Sequence, residues 1–225
     1  MMSEDQVKKS ASCALVIFSK APIAGEVKTR LAKDLGNSAA LNVYQAMLKT
    51  ICRTLTQSSR WDCFLSASKH LDHPFFTSLI KAYGLKTHLQ CDGTLGDKMK
   101  STLEVLQSEY EKVIIVGGDA ISISECVVDT AFKALDTYDS VLVPALDGGY
   151  IAIGATTTHE QMFTGIEWGT ERVFAQQKAQ FQSIGWRCWF AEPLWDLDEL
   201  ADFERAKSEP ELHQKLLDAG LNQAL

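Results

Sequence analysis

Lys20, Lys28, Arg30 and Lys33 all fall within "FSKAPIAGEVKTRLAKDLG" (residues 18–36), in a chain whose formal net charge is −7. The stretch follows an apolar run and leads into a helical pattern, so it reads as strand, loop and helix. Backbone N–H groups at a helix start, with cations beside them, favour an anion. Lysine offers a mobile point charge and arginine a bidentate fork for phosphate oxygens. Lys28 and Arg30 are therefore the leading candidates to hold a phosphate, with Lys20 on the same loop. The spacing is neither a Walker A loop nor a dinucleotide fingerprint, because G-K-[ST] and G-x-G-x-x-G are both missing. The competing reading is a surface loop of solvated charges.

Carboxylates recur in matching places. "VIIVGGDA" puts Asp119 at the end of an apolar strand, behind two glycines that would let a ligand or metal approach the backbone. An aspartate there can hold Mg²⁺ or Mn²⁺, since hard cations prefer carboxylate oxygens. "WDLDELADFERA" adds Asp196 and Asp198 past the last strand; with Asp119 they would complete a metal shell, or else cap the helix that follows. "LDGGYIAIG" offers Asp147, Gly148, Gly149 and Tyr150, either as a plain β-turn or as the lining of an acceptor pocket. "QCDGTLGDKM" places Gly93 and Gly96 after another strand, where they would admit a base or ribose with Gln90 reading it.

The elements that must position these residues alternate. Buried-type strands are expected at 13–18, 61–68, 85–90, 112–119, 140–146, 150–155 and 186–192. Helical periodicity falls between them: from Leu35 to Leu55 with Asn37 or Ser38 as N-cap, from Pro74 to Gly84, from Met99 to Tyr110, from Cys126 to Leu135, from Thr170 to Ile184, and in two short closing helices. The order implies one three-layer α/β/α domain over residues 1–225, with an open, mostly parallel sheet and a flexible segment over 1–11. Such sheets bind ligands outside the carboxyl ends of their strands, which is where the cations and aspartates lie.

Composition narrows the class. Hydrophobic content of 46% and charge of 23% suit a folded globule, and the acidic balance argues against general nucleic-acid binding. The six cysteines are scattered without a C-x-x-C pair and read as reduced, mostly buried thiols of a cytoplasmic protein. The N-terminal apolar run, Ala11 to Phe18, follows two lysines but is short for a signal peptide; no stretch approaches the ~20 apolar residues of a membrane span. A serine-hydrolase elbow, G-x-S-x-G, is missing.

Six runs in order, "FSKAPIAGEVKTRL", "GTLGDKM", "VIIVGGD", "VPALDGGYIAIG", "IEWGTERV" and "DLDELADF", resemble the GT-A-fold nucleotide-diphospho-sugar transferase superfamily. The resemblance is to its bacterial glycosyltransferase-like branch, of the radical-SAM/selenodomain-associated transferase type. It implies a phosphate-contacting pair at Lys28 and Arg30, a metal-binding Asp119, and a C-terminal acidic residue at Asp196 or Asp198. The loop from Gly93 to Met99, with Lys98 where the family has arginine, would lie near the nucleoside. Asp147, Gly148, Gly149 and Tyr150, with Trp168 and Thr170, would face the acceptor. The chain departs from the family's G-T-D-C-P or G-T-D-S-P in reading "GGDAIS", and from W-S-T in reading "WGT".

The function these features imply is metal-dependent transfer from an activated nucleotide to a small-molecule acceptor, with Asp119 and Asp147 assigned to catalysis. Glycosyl transfer from a nucleotide sugar comes first. The alternative, nucleotidyl transfer from a triphosphate, is favoured by the lone Asp119 where many GT-A glycosyltransferases carry Asp-x-Asp. The altered motif around Asp119 grounds a third reading, a nucleotide binder without turnover.

Overall fold

The computed structural model describes residues 12–222; Ala11 and the N-terminal segment expected to be flexible lie outside them. Strands β1 (Cys13–Ser19), β2 (Asp62–Ala67), β3 (Lys86–Leu89), β4 (Lys112–Gly117), β5 (Ser140–Pro144), β6 (Tyr150–Ala155) and β7 (Cys188–Phe190) form one sheet, in the order β3-β2-β1-β4-β6-β5-β7. All pairs are parallel except those of β6, which runs antiparallel to both β4 and β5. That one reversal has a consequence for the site. It brings the start of β6, at Tyr150, to the same edge as the carboxyl ends of the other strands.

Helices α1 (Ala32–Leu35), α2 (Asn37–Leu55), α3 (Pro74–Tyr83), α4 (Leu95–Leu106), α5 (Glu125–Ala134), α6 (Val173–Ser183), α7 (Leu200–Ser208) and α8 (Pro210–Asp218) complete the described chain. Alternate residues of each central strand enter opposite cores, as a period of two demands. Leu15 and Ile17 of β1 join Met47, Leu48 and Ile51 of α2 and Phe203 of α7 on one face. Ala14 and Val16 join Met99 and Leu103 of α4 and Phe181 of α6 on the other. Each of the larger buried side chains stabilises the fold by roughly 1.5–3 kcal/mol, so the strand edge is held by packing on both faces. No described helix is long and apolar enough to cross a membrane.

Several boundaries differ from the periodic pattern. The helix expected from Leu35 is broken by Gly36, which takes φ +82° and itself stands as the N-cap of α2 in place of Asn37 or Ser38. Tyr110 lies beyond α4, where its hydroxyl donates to Asp62 at 2.8 Å and its ring meets Phe64 edge-on. Thr170 to Arg172 form a turn before α6, and only Cys188 to Phe190 of the expected 186–192 run pairs in the sheet. Of the six cysteines only Cys52 and Cys63 are buried, and Cys126 is exposed. The pairing of apolar runs decided which thiols entered a core, and Cys126 fell on the outer side of α5.

Candidate active site

A cleft of about 840 Å³ opens along the carboxyl edge of the sheet, reached by the loops after β1, β4 and β7 and by the β5–β6 turn. Lys28 lines it. Its ammonium lies 3.1 Å from Asp119 Oδ2 and 3.3 Å from Asp198 Oδ1, and its side chain is only 5% exposed. Burial disfavours the charge, but Asp119 and Asp198 outweigh burial and hold the pKa above the ordinary lysine value. Val27 and Leu31 anchor the loop in the core, and Lys28 itself takes a left-handed φ of +46°. Arg30, more exposed, places Nη1 3.2 Å from Asp198 Oδ2 and 3.5 Å from Glu199 Oε1.

Local structure frees the carboxylates for this work. The cap of α5 is Ser124, so Asp119 has no helix to cap. Glu199 and Asp202 form the capping box of α7, with Asp202 also accepting the Asp198 N–H at 3.0 Å, so the Asp198 carboxylate faces the cations. The Leu197 N–H donates to the Asp119 carbonyl at 3.2 Å and ties the two acidic segments together. The glycines before Asp119 line the cleft, and they also answer a steric demand within the chain. A Cβ at Gly117 would lie 2.7 Å from Asp119 Oδ1, and one at Gly118 2.7 Å from the Phe18 carbonyl. They make room for the Asp119 side chain and the Phe18 carbonyl as well as fronting the cleft.

Asp196 reports an unbalanced field. Burial, followed by the charges of Asp119 and Asp147, pushes its carboxyl up to about 6. Among the charged residues lining the cleft, Glu26, Asp119, Asp147, Glu171, Asp196 and Asp198 outnumber Lys20, Lys28, Arg30 and Lys98. Among the described residues no three His, Cys, Asp or Glu side chains converge as a metal group. The expected shell of Asp119, Asp196 and Asp198 is interrupted because Lys28 stands between Asp119 and Asp198. The residues still fit a hard divalent cation of the magnesium kind, which takes one or two carboxylates and completes its shell with phosphate oxygens and water. Asp119 and Asp196, whose charges act on one another, are the carboxylates that would hold it, and Lys28 is the present partner of Asp119.

The opposite wall is apolar and aromatic. Tyr150, Trp168, Met99 and Leu95 line it, with Tyr150 and Trp168 meeting edge-on at 6.4 Å between centroids. The Tyr150 hydroxyl donates to Gln177 Oε1 at 3.4 Å, and burial holds it well above the ordinary tyrosine range. Thr170, Gly149, Lys98 and Gln90 also reach the cleft, and buried Gln90 donates to the Ser66 carbonyl at 3.2 Å. Asp147 lines the cleft too, though its Oδ1 accepts the Gly149 N–H at 2.8 Å, so it serves the turn as well.

Three glycines singled out from sequence do not line the cleft. Gly93, at φ +120°, packs over Asp97 in the capping box of α4. A Cβ on Gly96 would meet Trp168 at 3.0 Å and Phe163 at 3.1 Å, so this glycine lets α4 seat the Trp168 ring. Gly148, at φ +91°, fits against the Glu171 carbonyl. Tyr44, by contrast, belongs to the site unforeseen. Its hydroxyl accepts the Lys20 N–H at 3.0 Å and donates to the Lys20 carbonyl at 2.8 Å, which fixes the start of the cationic loop. A tyrosine on the apolar face of a helix is the available signal, because its buried hydroxyl needs a partner.

A model of the family described as "uncharacterized protein conserved in bacteria (DUF2064)" matches residues 51–170, more than half of the chain. The chain belongs to the DUF2064 family. No curated protein matches it. Among solved structures, this DUF2064 chain is similar to a protein of Desulfovibrio desulfuricans G20 provisionally described as a nucleotide-diphospho-sugar transferase, with a TM-score of 0.78, 22% identity and 93% and 98% of the two chains covered. It is similar also to a cytidylyltransferase from Leptospira borgpetersenii (TM-score 0.60, 12% identity, 96% and 99% covered). A nucleotidyl transferase from Methanothermobacter thermautotrophicus aligns with a TM-score of 0.59 at 12% identity, with 90% and 98% covered. These likenesses establish the nucleotide-diphospho-sugar transferase-like fold.

Proposed function

We propose that this DUF2064 chain is a transferase that takes an activated nucleotide, as its divalent-metal complex, and passes part of it to a small-molecule acceptor. The observation that carries the reading is buried Lys28, paired with Asp119 and Asp198 at the sheet edge, in a cleft where carboxylates outnumber cations. Such a cleft suits an anion that brings its own cation. The three solved structures reported above, each named as a transferase of nucleotides or nucleotide sugars, lend support through their fold.

In this reading Lys28 and Arg30 hold phosphate oxygens, with Lys20 and Lys98 flanking them and Gln90 toward the nucleoside. Asp119 and Asp196 would hold Mg²⁺ or Mn²⁺, which when bound neutralises charge on the departing phosphate. Asp147, Gly149, Tyr150, Trp168 and Thr170 face the acceptor, and an aromatic wall of this kind suits the C–H face of a sugar. Glycosyl transfer from a nucleotide sugar is therefore the first reading. Nucleotidyl transfer is the second, favoured because the candidate metal carboxylates come from separate strands, Asp119 after β4 and Asp196 after β7. Positioning and charge neutralisation dominate either reaction.

Product analysis separates them. Panels of nucleotide sugars and of nucleoside triphosphates, each with Mn²⁺ and a mixture of phosphorylated and hydroxylated acceptors, should release a nucleoside diphosphate under the first reading and pyrophosphate under the second. Release of neither, with tight nucleotide binding retained, would replace both with a binding protein.

A further inference from the structure

We infer that Lys28 is the resident counter-ion of the site, and that it makes a divalent cation and a phosphate bind as an interdependent pair. The inference rests on the metal-and-nucleotide reading above and adds how the two ligands are coupled. The Lys28 ammonium touches one oxygen of Asp119 and one of Asp198, at 3.1 and 3.3 Å, and Arg30 holds the second oxygen of Asp198 at 3.2 Å. With its side chain only 5% exposed, Lys28 has little water to fall back on if those partners are lost.

A divalent cation arriving alone at Asp119 meets an ammonium already on that carboxylate. It must either share the group with a like charge or leave buried Lys28 with Asp198 alone, a carboxylate already shared with Arg30, and both are unfavourable. A phosphate arriving alone must draw Lys28 away from two carboxylates and then lie beside their exposed charge. Together the two ligands exchange partners: the cation takes Asp119 and the phosphate takes Lys28. Each event removes the obstacle to the other, which is coupling between sites and is reciprocal by linkage.

The loop is built for a side-chain exchange. The Lys28 backbone is fixed by the Ala32 N–H donating to the Lys28 carbonyl at 2.8 Å, and Val27 and Leu31 on either side are buried. The four-carbon stem can swing its ammonium from carboxylate to phosphate without moving that anchor.

Mn²⁺ binding followed by electron paramagnetic resonance, at matched free Mn²⁺, with and without inorganic pyrophosphate, tests this in wild type, in Lys28→Met and in Asp119→Asn. Wild type should bind Mn²⁺ at least tenfold more tightly with pyrophosphate present. Lys28→Met should bind Mn²⁺ alone at least tenfold more tightly than wild type, and pyrophosphate should change that affinity little. Should Lys28→Met not fold, a wild type in which pyrophosphate leaves Mn²⁺ affinity unchanged still overturns the coupling. Mn²⁺ bound at an Asp119-dependent site with no pyrophosphate effect in wild type would overturn the coupling and leave the metal reading standing. Mn²⁺ bound to no variant, with or without pyrophosphate, would overturn both.

Discussion

The loops "GGDA" and "DGGY" use the same three residues, one aspartate and two glycines, at the same edge of one sheet, and they do different things with them. After β4 the glycines make room: a Cβ on Gly118 would reach 2.7 Å from the Phe18 carbonyl of the neighbouring strand. The aspartate that follows is left with a carboxylate facing Lys28. Between β5 and β6 the chain reverses as a hairpin, Asp147 accepts the Gly149 N–H, and Gly148 fits against the Glu171 backbone. The parallel strand that ends in a crossover presents its aspartate to the cleft. The hairpin employs much of its aspartate in making the turn.

The largest effect expected from this contrast is on Asp119. Asp119→Asn should keep the fold and lower donor turnover about 1,000-fold, on the order of 4 kcal/mol of transition-state stabilisation, in steady-state assays with Mn²⁺. A loss under tenfold would place Asp119 on the same footing as Asp147. Next come the two glycines of the hairpin. Gly148→Ala combines φ +91° with a Cβ 2.1 Å from the Glu171 carbonyl and should cost about 3 kcal/mol or more in denaturant unfolding, whereas at Gly149 the nearest atom is the Asp147 carboxylate at 3.1 Å and Ala should cost under about 1 kcal/mol. Equal costs would mean that the turn does not impose these constraints.

Asp196 gives a pH-dependent test of the unbalanced field. Its pKa in the folded protein, about 6, lies above the ordinary 3.8, so ionisation is disfavoured in the folded state. The penalty is absent below about pH 4, grows as pH rises and is complete above about pH 6. Asp196→Asn should therefore raise the melting temperature at pH 7.5, by up to about 3 kcal/mol of stability, and bring no gain at pH 4, while lowering turnover. A variant less stable at pH 7.5 would contradict the account of the acidic excess. The smallest effect is expected at Asp147, where Ala should remove about 1 kcal/mol through the lost Gly149 hydrogen bond and reduce turnover less than tenfold.

Much of the fold was legible because it depends on local pattern. The apolar runs became strands, Pro74 and Gly84 bounded α3 as expected, and the cations and aspartates after strands came to one edge. The β-turn reading of "DGG" allowed β6 to reverse against β5, but its insertion between β4 and β5 was not legible, because strand order depends on pairings that no single run encodes. The state of Lys28 was hidden for the same reason. Its partners are 91 and 170 residues away, so sequence shows a charged loop where the folded chain shows a buried ion-pair cluster. Gly93 and Gly96 misled in the opposite direction, since glycine marks a close approach without saying whether a ligand or Trp168 makes it.

The central claim is that the cleft binds a nucleotide together with a divalent cation. A thermal-shift panel of nucleoside di- and triphosphates and nucleotide sugars, each with and without Mn²⁺, tests it most directly. A ligand at about 100 times its dissociation constant should stabilise the protein by about 2.7 kcal/mol, and the account predicts such a shift for one base, with Mn²⁺ and nucleotide together exceeding the sum of either alone. A folded protein that shows no shift with any nucleotide, with or without Mn²⁺, would contradict it.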